Sequence, residues 1–486
     1  MTGRLFIAGE WRDARSGRTH PVPNPATEEV VGHAADAGRE DARDAIAAAR
    51  AAFDSGPWRK ATPRDRSKVL LAIADGVERR KEELRSVLVS AAGAEYVTHG
   101  IQLDVPIELL RLYADLALRF ELERPLPPVS VPTATGMRVV SSTAVRQPAG
   151  VCGLIPTWNF PLFVTVQKLG PAIATGCTMV VKPSPYVPLV DCLLAEIVES
   201  ADVPKGVYNL VTGESPELGG ELVESPLVDK VSFTGSVATG KRIMELASRT
   251  LKRVHLELGG KSALLVLEDA DLDEVVASAA SPAFFHAGQG CAINTRILVA
   301  RRKQDALVER MKAFVEMIVR VGDPADPGVM LGPLIREERR SNVEEHIAAG
   351  RDEGAVLATG GGRPAGLDRG FFLEPTIFRD VTNDMRVARE EIFGPVACVI
   401  PFDDEEQAIA IANDSRYGLG GGIVTRDVGR AIEIAKRIRS GTIGINGAYD
   451  LFDAPFGGFK ESGIGREGGS FGLQEYTELQ CISWIG

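Results

Sequence analysis

Strand-like and helical segments alternate along the chain from Gly150 onward, and this alternation constrains the fold more than any other feature. Apolar strands are predicted at 151–155, 178–182, 207–211 and 228–233, and helices are predicted at 162–174 and 189–200. A strand, a helix and a second strand in this order are typical of a parallel sheet with helices on its faces. The sequence therefore predicts an α/β protein.

A second alternating region begins near Ser262. Strands are predicted there at 263–267, 295–300, 420–425 and 441–446, with helices at 304–319, 337–349, 405–412 and 428–439. A chain of 486 residues is too long for one hydrophobic core, so two or three domains are expected.

The region before Gly150 is predicted to be helical over 39–53 and again from Thr62, which can cap a helix that Pro63 begins. Residues 121–136 are rich in proline and are predicted to form a linker. The segments 137–148 and 479–485 are predicted strands. They serve subunit association or pair within one chain, and the sequence leaves both alternatives open.

Residues suited to ligand binding follow four of the predicted strands. Ligands of parallel α/β sheets bind at the carboxyl ends of the strands. The segment 233–240 is a strand, a tight turn and the start of a helix, whose free N–H groups attract phosphate. It lacks the Gly-x-Gly-x-x-Gly pattern, so it is weak evidence by itself. The four segments are Pro156-Thr157-Trp158-Asn159, Lys182-Pro183-Ser184, Thr234-Gly235-Ser236 and Glu257-Leu258-Gly259-Gly260.

One cysteine stands apart from the other five. Cys291 follows Gly288-Gln289-Gly290 in a turn, whereas Cys152, Cys177 and Cys398 have apolar, strand-like neighbours and are expected to be buried. No two of the six cysteines have the spacing of metal ligands, so no metal site is expected. Cys291 is thus a candidate nucleophile, with Glu257 as a carboxylate that could activate water.

Composition excludes several classes of function. A net charge of −11 argues against a nucleic-acid surface, which needs a surplus of Lys and Arg. No signal peptide is recognised, and no apolar run approaches the roughly 18 residues that a membrane span requires. We expect no nucleic-acid partner, no membrane association and a cytoplasmic location, where the cysteines are thiols.

Seven segments taken together resemble the aldehyde dehydrogenase superfamily, and they occur in that family's order over nearly the whole chain. They are Pro156-Thr157-Trp158-Asn159-Phe160-Pro161, Lys182-Pro183-Ser184, Phe233-Thr234-Gly235-Ser236, Leu256-Glu257-Leu258-Gly259-Gly260-Lys261, Gly288-Gln289-Gly290-Cys291, Glu391-Ile392-Phe393-Gly394-Pro395 and Pro455-Phe456-Gly457-Gly458-Phe459-Lys460-Glu461-Ser462-Gly463.

The resemblance implies a Rossmann-like NAD(P)-binding domain, an α/β catalytic domain and a small β oligomerisation arm. The expected boundaries are 1–125 and 149–258 for the cofactor domain, 259–458 for the catalytic domain, and 126–148 with 459–486 for the arm and C-terminal segment. A homodimer or homotetramer is expected.

The resemblance also implies the oxidation of an aldehyde to its carboxylic acid. The cysteine matching Cys291 attacks the aldehyde carbon, and the amide matching Asn159 binds the oxyanion together with the cysteine N–H. Hydride passes to a nicotinamide cofactor. The glutamate matching Glu257 then activates the water that hydrolyses the thioester.

The cofactor-binding positions are carried over in the same way. NAD-preferring members usually have a glutamate three residues after the lysine, where it repels a 2′-phosphate. This chain has Pro185 there, so NAD is expected and NADP is possible. The matching residues are Pro156, Thr157, Trp158, Lys182, Ser184, Gly235, Ser236, Leu258, Gly259, Glu391 and Phe393.

The positions that match the substrate tunnel are mostly apolar or aromatic, which suits an aliphatic or aromatic aldehyde. They are Phe160, Val164, Gln167, Ala292, Phe452 and Phe456. Gln167 stands where many relatives have a bulky aromatic residue, which indicates a wider or more polar tunnel mouth. No arginine stands out as an anchor for a substrate carboxylate.

Three alternatives remain open at this point. His286 could act as the base of a cysteine hydrolase, although a helical histidine five residues before Cys291 need not face the sulfur. A CoA-acylating dehydrogenase would use the same cysteine, but such members often lack the glutamate at position 257. A catalytically silent structural or binding protein of the same fold is the third alternative.

Overall fold

The computed structural model describes residues 2–449 and 452–485, and the side chains of these residues except those at 278–281. The α/β class predicted from the sequence is confirmed.

The strands are, in chain order, β1 (Thr2–Gly3), β2 (Leu5–Ile7), β3 (Glu10–Arg12), β4 (Thr19–Pro23), β5 (Val30–Ala35), β6 (Glu123–Thr133), β7 (Gly136–Pro148), β8 (Val151–Ile155), β9 (Thr178–Val181), β10 (Tyr208–Leu210), β11 (Lys230–Thr234), β12 (Arg253–Glu257), β13 (Ser262–Val266), β14 (Asn294–Ala300), β15 (Val356–Thr359), β16 (Thr376–Arg379), β17 (Val396–Phe402), β18 (Gly421–Val424), β19 (Gly444–Ile445), β20 (Gly463–Ile464) and β21 (Thr477–Ile485).

The α-helices are, in chain order, α1 (Arg39–Ser55), α2 (Pro63–Arg79), α3 (Lys81–Val87), α4 (Val105–Arg119), α5 (Pro161–Thr175), α6 (Pro188–Glu199), α7 (Pro216–Glu224), α8 (Val237–Ala247), α9 (Leu272–Phe284), α10 (Gln304–Ile318), α11 (Glu337–Asp352), α12 (Arg386–Arg389), α13 (Glu405–Asn413), α14 (Val428–Arg437) and α15 (Gly469–Glu475).

Two large sheets organise the part of the chain that the structure describes. The first has the order β20-β12-β11-β8-β9-β10-β2-β3, and its five central strands, β12 to β10, are parallel. The second has the order β15-β16-β17-β14-β13-β18-β19, and all its strands except β15 run parallel. Helices cover these sheets because parallel strands are buried on both faces.

The first sheet packs against helices that come before and after the proline-rich segment 121–136 in the chain. α4 and α5 pack closely in an apolar cluster that includes Leu110, Tyr113, Leu162 and Leu169. Thr62 caps α2 as predicted: its side chain accepts a hydrogen bond from the Asp65 N–H, and the Asp65 carboxylate accepts one from the Thr62 N–H.

Two further sheets have three strands each: one has the order β1-β5-β4, and the other has the order β21-β7-β6 and includes the proline-rich segment. The prediction of a linker over 121–136 is wrong, because Glu123–Thr133 forms the strand β6. Proline is tolerated there because β6 is an edge strand, and its pairing with β7 is irregular between Leu126 and Val129, where two prolines lie. β21 pairs with β7 of its own chain. Among the described residues, β6 and β21 have no second neighbouring strand.

In the described part of the chain, no helix is both long enough and apolar enough to cross a membrane.

Candidate active site

The two large sheets meet at one short crossing of the chain. Glu257 is the last residue of β12 in the first sheet, and β13 of the second sheet begins at Ser262. β14 pairs with β13, with Asn294 opposite Ser262, so Cys291 lies just before the start of the neighbouring strand. The carboxyl ends of the first sheet therefore face the amino ends of the second, with Glu257 and Cys291 at the junction.

Two glycines make this junction possible. A Cβ at Gly260 would overlap the carbonyl oxygen of Cys291, and a Cβ at Gly259 would overlap Oε2 of Glu391. Any side chain at these positions would push the cysteine or the glutamate away. The glycine pair in Glu257-Leu258-Gly259-Gly260 is thus required by close approach.

The turn before Cys291 has an unusual backbone. α9 ends at Phe284, and the short 3-10 turn Phe285–Gly288 follows it. Within this turn His286 and Ala287 have φ values of 52° and 51°, in the left-handed region that non-glycine residues rarely adopt. Such conformations cost roughly 1–3 kcal/mol each and persist only where surrounding contacts hold them.

A buried glutamate provides such contacts. Glu95 Oε2 lies 3.1 Å from His286 Nδ1, and Glu95 Oε1 accepts a 2.6 Å hydrogen bond from the Gly332 N–H. Gln289 is held in the same way, because its Oε1 accepts from the Ile335 N–H at 3.0 Å. His286 therefore helps to hold the turn. No local pattern connects it with Glu95, which lies 191 positions earlier in the chain.

Asn159 is tied to this turn from the first sheet. It is buried in the loop after β8, and its Nδ2 donates a 2.8 Å hydrogen bond to the carbonyl of Gln289, two residues before Cys291. Its own carbonyl accepts a 3.1 Å bond from Gln102 Nε2. An amide NH₂ group has two N–H bonds, so one donor remains after the contact with Gln289.

Electrostatics couple the thiol of Cys291 to the carboxyl of Glu257. Burial raises the pKa of Glu257 to about 8, and the charge of Glu467 adds to this, while Lys168 and a hydrogen bond with the Cys291 thiol lower it. Burial also raises the pKa of the Cys291 thiol well above its ordinary value, with the charges of Glu257 and Glu391 acting in the same direction. Both groups are thus mainly protonated at pH 7, and Glu257 is the first to ionise.

A buried cluster of polar groups supports the Glu257 side of the site. Lys168 on α5 is 2.6 Å from Glu467 Oε1 and donates to Ser232 Oγ at 3.2 Å. His255 Nδ1 lies 3.2 Å from the same hydroxyl, and burial lowers the pKa of His255 well below its ordinary value. The sequence analysis missed this cluster. Lys168 lies inside the mostly apolar helix predicted at 162–174, and this lysine could have indicated the cluster.

Ser462 was quoted within a motif but not recognised as part of the site. Its hydroxyl donates to the Gly259 carbonyl at 2.7 Å and accepts from the Gly418 N–H at 2.9 Å, and its carbonyl accepts from the Leu258 N–H. These bonds fix the loop that follows Glu257, so Ser462 supports the backbone of the junction.

Glu391 and Phe393 lie on the opposite side of the crossing. Glu391 Oε1 accepts a 3.0 Å hydrogen bond from the Gly260 N–H, and burial raises the pKa of the carboxyl to about 7. Phe393 has a φ of 55°, and its ring packs edge-on against Trp158 with centroids 5.4 Å apart. Of the predicted cofactor residues, Trp158 and Phe393 thus contact each other, and Glu391 is bound to the loop that follows Glu257.

Lys182 and Ser184 follow β9, with Pro156 and Thr157 in the neighbouring loop after β8. Lys182 is buried, and its Nζ donates to the Pro183 carbonyl at 3.1 Å, which leaves two donors. Burial lowers the pKa of Lys182 to about 8. Ser184 Oγ accepts a hydrogen bond from the Tyr186 N–H. A buried amine with free donors fits the hydroxyl or phosphate groups of a nucleotide.

The turn after β11 has the predicted form. Ser236 caps α8, and its Oγ accepts a 3.2 Å hydrogen bond from the Thr239 N–H. The Gly235 N–H donates to the Glu257 carbonyl at 3.0 Å, so this turn and the Glu257 loop are joined. The first turn of α8 is exposed, and its N–H groups fit a phosphate.

The predicted tunnel residues lie in different environments. Phe160 stacks on Phe285 with centroids 6.3 Å apart and lies 5.0 Å from the His286 ring. Val164 and Gln167 are buried on α5. Ala292 is partly buried beside Cys291, and Phe456 is partly buried, with backbone hydrogen bonds to Glu467. Phe452 is 40% exposed. Phe285 and Phe163, which also contacts Phe160, were missed by the sequence analysis.

Within residues 2–449 and 452–485, no group of three His, Cys, Asp or Glu side chains is placed to hold a metal ion.

Known proteins match this chain over nearly its whole length. Residues 11–482 match the model of the aldehyde dehydrogenase family. The chain is 41% identical to betaine aldehyde dehydrogenase of Bacillus subtilis, over 99% of this chain and 97% of that protein. A Pseudomonas syringae aldehyde dehydrogenase C variant, solved with NAD+ and octanal, superposes with a TM-score of 0.93 at 40% identity and covers 99% of this chain and 96% of its own. An aldehyde dehydrogenase of Mycobacterium tuberculosis complexed with NAD+ gives 0.93 at 41% identity, with coverage of 99% and 98%.

The support of the Cys291 turn can be tested with Glu95→Ala. This change leaves His286 and the Gly332 N–H without their buried partner, and we expect the free energy of unfolding to fall by about 3 kcal/mol. Urea denaturation measures this loss. Glu83→Ala is the matched control, because Glu83 is an exposed carboxylate paired with Arg80 and its removal should change stability little. Equal stability of the two variants would show that Glu95 does not hold the turn.

Proposed function

The chain belongs to the aldehyde dehydrogenase family and oxidises aldehydes with NAD+, and we propose that Cys291, Glu257 and Asn159 carry out this chemistry. The single observation that supports the assignment is the junction of the two sheets. It brings a thiol and a buried carboxyl into contact, with a buried amide tied to the same turn.

Cys291 is the nucleophile. Its thiol, which is only partly buried, loses its proton to solvent, and the thiolate attacks the aldehyde carbon. The remaining N–H of the Asn159 amide, together with the N–H of Cys291, binds the oxygen, which becomes negatively charged. Bound NAD+ would supply the acceptor for the hydride that leaves the former aldehyde carbon. Cys291 then carries the acyl group as a thioester.

Glu257 is the general base for hydrolysis of the thioester. Its ionised carboxylate takes a proton from water, the resulting hydroxide attacks the acyl carbon, and Cys291 leaves as the thiolate. Contact between Glu257 and Cys291 favours water over CoA as the acceptor, because the base lies beside the sulfur that carries the acyl group.

The residues around Gly259 would hold NAD+. Glu391 would hold a ribose of the cofactor, since its carboxylate is fixed by the Gly260 N–H. The first turn of α8 and Ser236 would bind the pyrophosphate, with Trp158 and Phe393 forming an aromatic wall. Lys182 would bind the other ribose. Pro156, Thr157, Ser184, Gly235 and Leu258 would complete the groove through their backbone positions.

The domain division follows from the two large sheets. Residues 1–125 and 149–258, which include most of the first sheet, would form the cofactor domain, and 259–458, which include the second sheet, would form the catalytic domain. The β6–β7–β21 sheet would join subunits of a homodimer or homotetramer. This is supported by its two outer edges and by exposed apolar side chains such as Val129, Leu479 and Trp484.

The substrate is proposed to be an aliphatic or aromatic aldehyde. Phe160, Phe163 and Phe285 are packed together directly before the Cys291 turn, which favours an apolar chain or ring. Octanal, the ligand of the Pseudomonas syringae protein, is of this type. A cytoplasmic location is proposed because all six cysteines are free thiols, as expected in a reducing compartment.

Replacement of the two reacting groups separates their roles. Cys291→Ala should abolish the aldehyde-dependent formation of NADH, while NAD+ still binds. Glu257→Gln should give a burst of about one NADH per site and then stall, because acylation proceeds but water is not activated. Stopped-flow absorbance at 340 nm measures both. Wild-type turnover by the Cys291 variant, or an unchanged steady-state rate in the Glu257 variant, would contradict the assignment.

The pH dependence of kcat tests the raised pKa of Glu257. A general base acts in its ionised form, and Glu257 remains protonated below its pKa of about 8. Where a burst shows that hydrolysis limits turnover, kcat should rise from pH 6.5 to 8 and become constant near pH 9. Glu257→Gln should lack this rise. A wild-type profile that is flat over this range would show that another group activates water.

The selectivity between NAD and NADP can be tested with Pro185→Glu. A carboxylate beside Lys182 would repel a 2′-phosphate, so kcat/KM with NADP should fall about tenfold or more while kcat/KM with NAD is kept or raised. Pro327→Glu, which adds the same charge at an exposed remote loop, is the control. A parallel loss with both cofactors would show that position 185 does not distinguish them.

A further inference from the structure

Gln167 and Val164 are three positions apart on α5, so their side chains project to one side of the helix, and Phe160 is the residue directly before the helix. Phe160 contacts Phe285 and His286, directly before the Cys291 turn. Gln167 is seven residues further along α5, which is about 10 Å by helix rise. The Gln167 amide therefore lies about two helical turns from Phe160, which contacts the turn before Cys291.

The Gln167 side chain makes no hydrogen bond with the described residues, although only 5% of the residue is exposed. Other glutamines in the interior differ, because Gln102 donates to the Asn159 carbonyl and Gln289 binds Ile335 and Pro333. No hydrogen bond within the fold therefore explains the Gln167 amide, and its donors and its acceptor are available to a ligand.

The neighbouring side chains limit what the amide could bind. Lys168, the next residue, is occupied by Glu467 and Ser232. The remaining wall is apolar, with Val164 and the phenylalanines at positions 160, 163 and 285. A carboxylate on the substrate would find no free cation at Lys168. A neutral hydroxyl or ether oxygen can pair with the amide and still leave its carbon skeleton against the apolar wall.

We propose that Gln167 is a specificity-determining residue that binds a neutral oxygen group, a hydroxyl or an ether, on the aldehyde substrate. This inference rests on the proposed function, because it assumes that aldehydes enter along α5. A site built to bond a hydroxyl strongly disfavours an analogue without it, because its own polar group is then left unpaired. The preferred substrates would be hydroxy- or alkoxy-substituted aldehydes.

The experiment compares kcat/KM for pairs of aldehydes of similar shape. The pairs are 3- and 4-(hydroxymethyl)benzaldehyde against the corresponding ethylbenzaldehydes, and 8-hydroxyoctanal against nonanal. The wild type should favour the hydroxyl member of at least one pair by tenfold or more. Gln167→Leu should reduce that ratio to about one, chiefly by lowering turnover of the hydroxyl member.

Two further variants make the result decisive. Val164→Ala changes the volume of the same wall without removing the amide, so it should keep the hydroxyl preference. Gln167→Met replaces Gln167→Leu if the latter does not fold. The inference is overturned if the wild type shows no preference in any pair, or if the preference survives loss of the amide. In both cases the apolar aldehydes still yield NADH, whereas failure of the proposed function would abolish NADH formation with every aldehyde.

Discussion

The site depends on the contact between the carboxyl ends of one parallel sheet and the amino ends of another. The chain crosses from Glu257 to Ser262 in four intervening residues, and the pairing of β13 with β14 brings Cys291 to the same place. Glycines at 259 and 260 let the two backbones and the Glu391 carboxylate approach. The positions of the nucleophile and the base therefore follow from strand pairing, and loop flexibility contributes little to them.

Burial at this junction determines the chemistry of the ionisable groups. Burial raises the pKa of Glu257, of Glu391 and of the Cys291 thiol, and the charges of Glu257 and Glu391 raise the pKa of the thiol further. Lys168 counteracts this only in part, because its ammonium group already pairs with Glu467. The thiolate is the nucleophilic form, so the raised pKa of the Cys291 thiol makes its reaction depend on the loss of this proton.

The sequence predicted those parts of the fold and site that depend on local pattern. The cap at Thr62 and many of the strands and helices after Gly150 were readable, because hydrophobic periodicity and turn chemistry are local. The strands β15, β16 and β17 were not predicted. The proline-rich β6 was mispredicted because its tolerance for proline depends on an edge position in a sheet. Glu95 with His286, and Lys168 with Glu467, were not predicted, because each pair joins residues that are distant in sequence.

The central claim is that a buried Glu257 raises the pKa of the Cys291 thiol, and the rate of Cys291 alkylation by iodoacetamide as a function of pH tests it most directly. Mass spectrometry identifies the modified cysteine in the ligand-free wild type and in Glu257→Gln. The account predicts a thiol pKa above 9 in the wild type and a lower value in the variant, where the repelling carboxylate is gone. A wild-type thiol pKa near 7, unchanged in the variant, would contradict it.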